Sequence, residues 1–131
     1  MITYNRHNSP LMQKSHKFSV RISKMVEYIE NNRMRNSNIK SVLNQVMRSG
    51  TSVMANIGES QFAQSNADFI TKLHIALKEA GETERWLNFL YSNEYLTQHE
   101  YESINSDCSE IIAMLIASVK TSKRNQSIII R

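Results

Sequence analysis

The sequence predicts an all-α protein, an up-down-up-down bundle of four antiparallel helices in one domain. Helix breakers are scarce: the 131 residues include 3 Gly and 1 Pro, where average usage of about 7% and about 5% predicts roughly nine and seven. A β-sandwich or barrel needs more tight turns than so few breakers supply. In addition, four segments each carry an apolar seam with alternating steps of three and four residues, which is the helical period.

The first two helices are predicted near residues 10–32 and 37–62. Ser9 is a good N-cap for the first, and Pro10 suits the first helical position because it needs no N–H there. The first seam comprises Leu11, Ser15, Phe18, Ile22, Met25 and Ile29. The second comprises Ile39, Leu43, Val46, Gly50, Val53 and Ile57. Because glycine weakens a helix, we expect Gly50 to permit close packing, facing small residues such as Ala76 and Ala80.

The third and fourth helices are predicted near residues 66–92 and 98–123. Ser65 and Thr97 each precede a carboxylate by three residues, as in a capping box. The third seam comprises Phe69, Leu73, Ala76, Ala80, Thr83, Leu87 and Leu90. The fourth comprises Tyr101, Ile104, Cys108, Ile111 and Leu115. This assignment leaves an N-terminal extension at 1–9 and a C-terminal tail at 124–131, around a bundle at 10–123.

Several helices carry apolar residues beyond one seam. These wide apolar helix faces are consistent either with a large core or with a subunit interface. For the second case, the predicted interface residues are Met47, Met54, Gly58, Trp86 and Phe89.

Charge is segregated along the chain. The net charge of +4 divides into +7 over residues 1–48, −7 over 49–110 and +4 over 111–131. Such segregation indicates either a polyanionic partner or charge-matched self-association.

The basic residues of helix one fall on a single stripe, at steps of three, four and three. A solvated surface is the ordinary explanation of such a stripe, but this one lacks interleaved acids and suits a row of phosphates. The predicted nucleic-acid-binding residues are Lys14, Lys17, Arg21, Lys24, Lys40, Arg48, Lys120, Lys123 and Arg124.

Catalytic and metal chemistry are not indicated. No glutamate lies three residues before any of the four histidines, as a di-iron bundle requires. Cys108 lies on a seam, so we expect a buried apolar residue and no nucleophile. We predict no catalytic residues, no metal and no cofactor. The single cysteine, the absence of a signal-like start and the short apolar runs favour a cytoplasmic protein without a membrane segment.

The sequence also resembles a known family, with similarity extending from about Phe18 to Asn125. The features, in order, are RSGTSVMANIGES at 48–60, Ser65-x-x-Asp68-Phe69, IALKEA at 75–80 and ETERWL at 82–87. They resemble the bacterial four-helix-bundle proteins of 23S rRNA intervening sequences, a superfamily that includes the accessory variability protein of diversity-generating retroelements. Gly58 stands where the family often has alanine, and Gly81 stands where a larger residue is common. Both glycines are expected to lower local helix stability without changing the fold.

The resemblance implies a ring-like homopentamer whose basic surfaces contact nucleic acid or, in retroelements, a reverse transcriptase. The main hypothesis is a non-enzymatic homo-oligomer that binds structured RNA or DNA through basic helix faces. The alternative is a protein-interaction scaffold or accessory subunit, whose basic face meets an acidic protein such as a reverse transcriptase.

Overall fold

The four predicted helices form an antiparallel bundle in the computed structural model, which describes residues 9–130, with side chains to 125. They are α1 (Pro10–Asn32), α2 (Ile39–Ser60), α3 (Asn66–Ser92) and α4 (Gln98–Ile130). Each helix contacts the next along the chain, and α4 also contacts α1. The helices therefore surround one core in the order α1, α2, α3, α4, with α1 diagonal to α3. The predicted N-terminal extension lies outside the described residues, apart from Ser9.

Capping accounts for three of the helix starts. Ser9 Oγ accepts from the N–H of Met12 (3.4 Å), and Ser65 Oγ accepts from the N–H of Asp68 (3.0 Å). At α4 the capping box is reciprocal, because Thr97 Oγ1 accepts from the N–H of Glu100 (3.2 Å) and Glu100 Oε1 accepts from that of Thr97 (2.8 Å). These side chains satisfy amides that have no partner within the helix.

Helix α2 is shorter than predicted at both ends. Asn36 Oδ1 accepts from the N–H of Asn38 (2.9 Å), and this local bond holds the chain in a turn until Ile39. At the other end, the N–H groups of Gln61 and Phe62 donate to carbonyls three residues earlier (3.1 and 3.0 Å), so the α-helix closes in a turn after Ser60.

Helix α4 is longer than predicted and continues to Ile130. The expectation of a tail from residue 124 is therefore corrected for residues 124–130. No glycine or proline follows Gly81 in the sequence, so nothing interrupts the helix after residue 123. Arg131 lies outside the described residues.

The connection between α3 and α4 is made without glycine. The N–H of Tyr95 donates to the Leu90 carbonyl (2.9 Å) and that of Glu94 to the Tyr91 carbonyl (3.0 Å), the bond pattern of a Schellman motif. Glu94 occupies the left-handed position, with φ of 64°. Glycine is the usual residue there, since any side chain adds a steric cost.

Most residues of the predicted seams form the core, whereas Leu11, Met25, Phe69 and Tyr101 are only partly buried and pack against it. The fully buried members of the seams include Phe18, Ile22, Leu43, Leu87 and Leu115. The core also contains a hydroxyl pair joining α2 to α3, in which Thr83 Oγ1 lies 2.8 Å from Ser49 Oγ, with both residues fully buried.

Gly50 packs against α1, and the expectation that it faces Ala76 and Ala80 of α3 is wrong. A Cβ at position 50 would lie 3.1 Å from two carbons of Ile22. Ser19 Oγ also donates to the Gly50 carbonyl (3.1 Å). The glycine thus permits the close approach of α1 and α2.

Candidate nucleic-acid interface

The four basic residues of α1 share one side of the helix, as their spacing predicts. We call Lys14, Lys17, Arg21 and Lys24 the α1 basic row; it borders α4. Acidic residues, absent from the row itself, reach it from α4. Lys14 Nζ lies 2.7 Å from Glu110 Oε1, and an Arg21 guanidinium nitrogen lies 2.5 Å from Asp107 Oδ2. The expectation of a stripe without acidic partners is thus corrected for Lys14 and Arg21.

The other two members of the row have no such partners. Lys17 and Lys24 are exposed and make no ion pair within residues 9–125. They are seven residues apart, so they lie about 10 Å apart along the helix axis. The row therefore presents two unpaired ammonium groups flanking a guanidinium that Asp107 holds in place.

Arg48 lies on the opposite side of the bundle. Its guanidinium bonds Glu79 of α3 (3.0 Å) and also pairs with Glu82. Lys40, by contrast, is exposed at the first turn of α2. Since α1 and α3 are diagonal, the α2/α3 side that carries Arg48 faces away from the α1 basic row. The two predicted basic lines do not form one surface.

The last three predicted basic residues lie at one end of the bundle. Lys120, Lys123 and Arg124 are exposed on α4. Nearby, Asn66 Nδ2 at the start of α3 donates to the Ser122 carbonyl (2.9 Å). These cations make no ion pair with the side chains that the structure describes.

The predicted interface residues also separate into two strips. Met47, Met54 and Gly58 follow helical spacing on one side of α2, and a Cβ at position 58 would meet Met12 of α1 at 3.9 Å. They therefore border α1.

Trp86 and Phe89 form the other strip, on α3. Their rings meet edge to face, with centroids 6.1 Å apart, and the indole N–H of Trp86 donates to Glu82 (3.4 Å). Phe89 is 43% exposed, so this strip presents aromatic surface to solvent beside Glu82, which pairs with Arg48.

A groove that the sequence did not predict runs between α1 and α4. Its volume is about 490 Å³. Its floor contains the buried side chains of Ile29, Leu96 and Ile104. Two residues of the α1 basic row, Arg21 and Lys24, stand on its rim.

Arg33 and Glu100 close one end of the groove. The guanidinium of Arg33 meets both carboxylate oxygens of Glu100 (2.6 and 3.0 Å), donates to the Tyr95 carbonyl (3.1 Å), and lies 4.9 Å from the Tyr28 ring centroid. The hydrogen bonds from Arg33 lower the pKa of Glu100 to about 2. The capping-box pattern had marked Glu100 only as a helix cap, since no local spacing reveals a partner 67 residues away.

Cys108 is fully buried, as expected from its seam position. Its thiol donates to the Ala80 carbonyl (3.4 Å), and burial raises its pKa to about 12. Within the described part of the chain, no group of three or more His, Cys, Asp or Glu residues is placed to hold a metal ion. The same residues include no helix with the length and apolarity to cross a membrane.

The fold and the surface define a class of protein, an antiparallel four-helix bundle with a basic row beside α4. The chain belongs to the family described as 23S rRNA-intervening sequence protein, whose sequence model matches residues 7–117.

A solved structure supports this assignment. The chain is similar to a protein of unknown function from the S23 ribosomal protein family of Bacteroides thetaiotaomicron VPI-5482, with 47% identity and a TM-score of 0.78. The match covers 84% of this chain and 95% of that one. No curated protein matches the chain at a significant level.

Proposed function

We propose that this protein is a non-enzymatic nucleic-acid-binding protein that takes structured RNA as its ligand through the α1 basic row. The observation that carries the proposal is the pair of exposed, unpaired lysines, Lys17 and Lys24, on either side of Arg21. Lysines that already pair with carboxylates bring little net charge to a phosphate. Unpaired ones release counterions from a polyanion on binding.

The ion pairs along the α1/α4 side support this choice of residues. Lys14, Arg21 and Arg33 are each matched by one carboxylate of α4, so Lys17 and Lys24 are the members of the row that remain without an ion pair. On the α2/α3 side, two carboxylates already surround Arg48.

The test compares two double variants that change the net charge equally. Lys17→Glu with Lys24→Glu reverses the unpaired members of the row. Lys78→Glu with Arg85→Glu reverses two exposed cations of α3 that also make no ion pair with described residues. Binding of a hairpin RNA and of duplex DNA is measured by fluorescence anisotropy from 50 to 300 mM salt.

The wild type should bind the RNA with strongly salt-dependent affinity, and the α1 variant should bind it more weakly. The slope of log affinity against log salt should fall by about 2 for the α1 variant, one for each lost phosphate contact. The α3 variant should keep the wild-type slope. Equal losses in both variants would mean that only net charge matters. Absence of salt-dependent binding in the wild type would refute the proposal and leave the scaffold alternative.

Homo-oligomerisation is part of the proposal, with the pentamer as the expected state. Exposed apolar side chains on α3, Phe89 at 43% and Ile75 at 39%, support a subunit contact beside Trp86. Light scattering at micromolar concentration should detect an oligomer, which Phe89→Asp weakens. Ile116→Asp, at a similarly exposed site on α4 (41%), serves as the control. A wild-type monomer at that concentration would contradict this part.

A further inference from the structure

We propose that the groove between α1 and α4 binds one unpaired base of the RNA whose backbone lies along the α1 basic row. This inference rests on the proposed function and deepens it, because it gives the surface a preference for RNA with unstacked nucleotides. Three features carry it: an apolar floor, a fixed planar guanidinium at one end, and cations shared with the row.

The floor suits a flat apolar face. Ile29, Leu96 and Ile104 are at most 6% exposed, and Met25 packs beside them on the core. The volume of about 490 Å³ falls within the usual range for small-ligand sites. Ser103 and His99 also line the groove, so hydrogen-bonding groups are available for the polar edge of a base. An aliphatic chain would offer these groups no hydrogen-bond partner.

The end of the groove carries a preorganised stacking surface. Glu100 holds two nitrogens of the Arg33 guanidinium, and the Tyr95 carbonyl accepts a third hydrogen bond. The guanidinium lies over the ring of Tyr28 at 4.9 Å, and Tyr28 is itself 50% exposed. Unstacked RNA bases are bound by stacking on aromatic rings and on arginine planes. Because Arg33 is already held in position, little side-chain freedom is lost on binding.

The position of the rim cations connects this pocket to the row. Arg21 and Lys24 belong to the α1 basic row and also line the groove. Arg21 is partly committed to Asp107 and Ser103, so Lys24 is the cation free to take the phosphate of a bound nucleotide. A strand that follows the row past Lys17 therefore reaches the groove at Lys24.

The experiment compares two RNA hairpins that differ by one unpaired nucleotide. Affinity for each is measured by fluorescence anisotropy with the full-length protein and the variants Tyr28→Ala, Tyr28→Phe and Ile116→Ala. Tyr28→Phe retains the ring, and Ile116→Ala removes a similarly exposed apolar side chain outside the groove. Since Tyr28 is half exposed, the truncated variant should fold, which circular dichroism checks. Binding of a free mononucleotide is measured in parallel by calorimetry.

Wild-type protein should prefer the hairpin with the unpaired nucleotide. Tyr28→Ala should weaken binding of that hairpin about tenfold, the loss expected when one base loses its stacking partner. It should change affinity for the fully paired hairpin by less than about twofold, and both control variants should behave as wild type.

Other outcomes overturn the inference while leaving the proposed function intact. Salt-dependent binding of both hairpins with equal affinity would show that no base enters the groove. An equal loss on both hairpins in Tyr28→Ala would indicate a general effect on the surface. Binding of the mononucleotide without any preference between hairpins would assign the groove to a small-molecule ligand. In this experiment, the proposed function itself fails if the wild type binds neither hairpin in a salt-dependent way.

Discussion

Replacing Gly50 by alanine tests the proposed close contact of α1 and α2. An added Cβ would lie 3.1 Å from two carbons of Ile22, which is closer than ordinary van der Waals contact. Ile22 is fully buried, so it has no solvent-facing side toward which to move. Gly81 offers a matched comparison on α3, because the nearest atom outside the helix backbone and the adjacent residues, an Arg85 guanidinium nitrogen, would be 3.7 Å from the new Cβ.

Two effects of opposite sign determine the magnitude. Glycine to alanine within a helix stabilises by about 1 kcal/mol at either position. Overpacking of a dense core costs about 1–3 kcal/mol and applies to Gly50 alone. Gly81→Ala should therefore raise the free energy of unfolding by about 1 kcal/mol. Gly50→Ala should lower it by about 0–2 kcal/mol, and the difference between the variants measures the packing cost.

Urea denaturation monitored by circular dichroism supplies the free energies. Protein concentration is held constant, because association links stability to concentration. The expected order of stability is Gly81→Ala, wild type, Gly50→Ala. If Gly50→Ala proved as stable as Gly81→Ala, the contact with Ile22 would not restrict position 50 and the account of the α1–α2 approach would be refuted.

Three further predictions concern the α3–α4 connection, the Arg33–Glu100 pair and the core cysteine. Glu94→Gly should raise the free energy of unfolding by about 0.5–1 kcal/mol in urea titrations, because glycine adopts positive φ without steric cost; a loss of stability would contradict the left-handed geometry. Glu100→Gln should lower it by about 1–2 kcal/mol at pH 7, a value discounted because Glu100 is 38% exposed. The pKa of Glu100 is about 2 in the folded protein, against an ordinary value of 4.5, so the ion pair stabilises fully above about pH 4.5. The difference in unfolding free energy between wild type and variant should shrink as the pH falls from 4.5 toward 2. A difference that stays constant over this range would exclude the linkage. Cys108 should react with a thiol reagent at pH 8 only after denaturation, and rapid labelling of the native protein would show that its burial is transient.

The fold was largely predictable because its signals are local. The seams and caps placed α1 and α3 at their observed bounds, and no residue outside each segment was needed. The helix ends that were predicted wrongly, both ends of α2 and the C-terminal end of α4, depend on weaker sequence signals. An asparagine side chain shortens α2 at its start, and α4 extends past residue 123 because no breaking residue ends it.

The candidate site was only partly predictable. The spacing of Lys14, Lys17, Arg21 and Lys24 correctly placed them on one side of α1, since helical periodicity alone decides this. Their partners were not foreseeable, because Glu110 and Asp107 reach the row from a helix more than 80 residues away. The sequence likewise showed Arg48 as a second basic line without revealing the carboxylates of α3 that surround it.

The sequence by itself determined the helices, their buried seams and the segregation of positive and negative charge along the chain. The helices and seams depend on residues within a few turns of one another, where covalent connection fixes geometry, and the charge segregation follows directly from the order of residues. The tertiary structure decided which charges neutralise each other, that Gly50 meets Ile22, and that α1 and α4 enclose a groove ending at Arg33. These features arise from contacts between distant segments, whose relative position follows only from the packing of all four helices around one core.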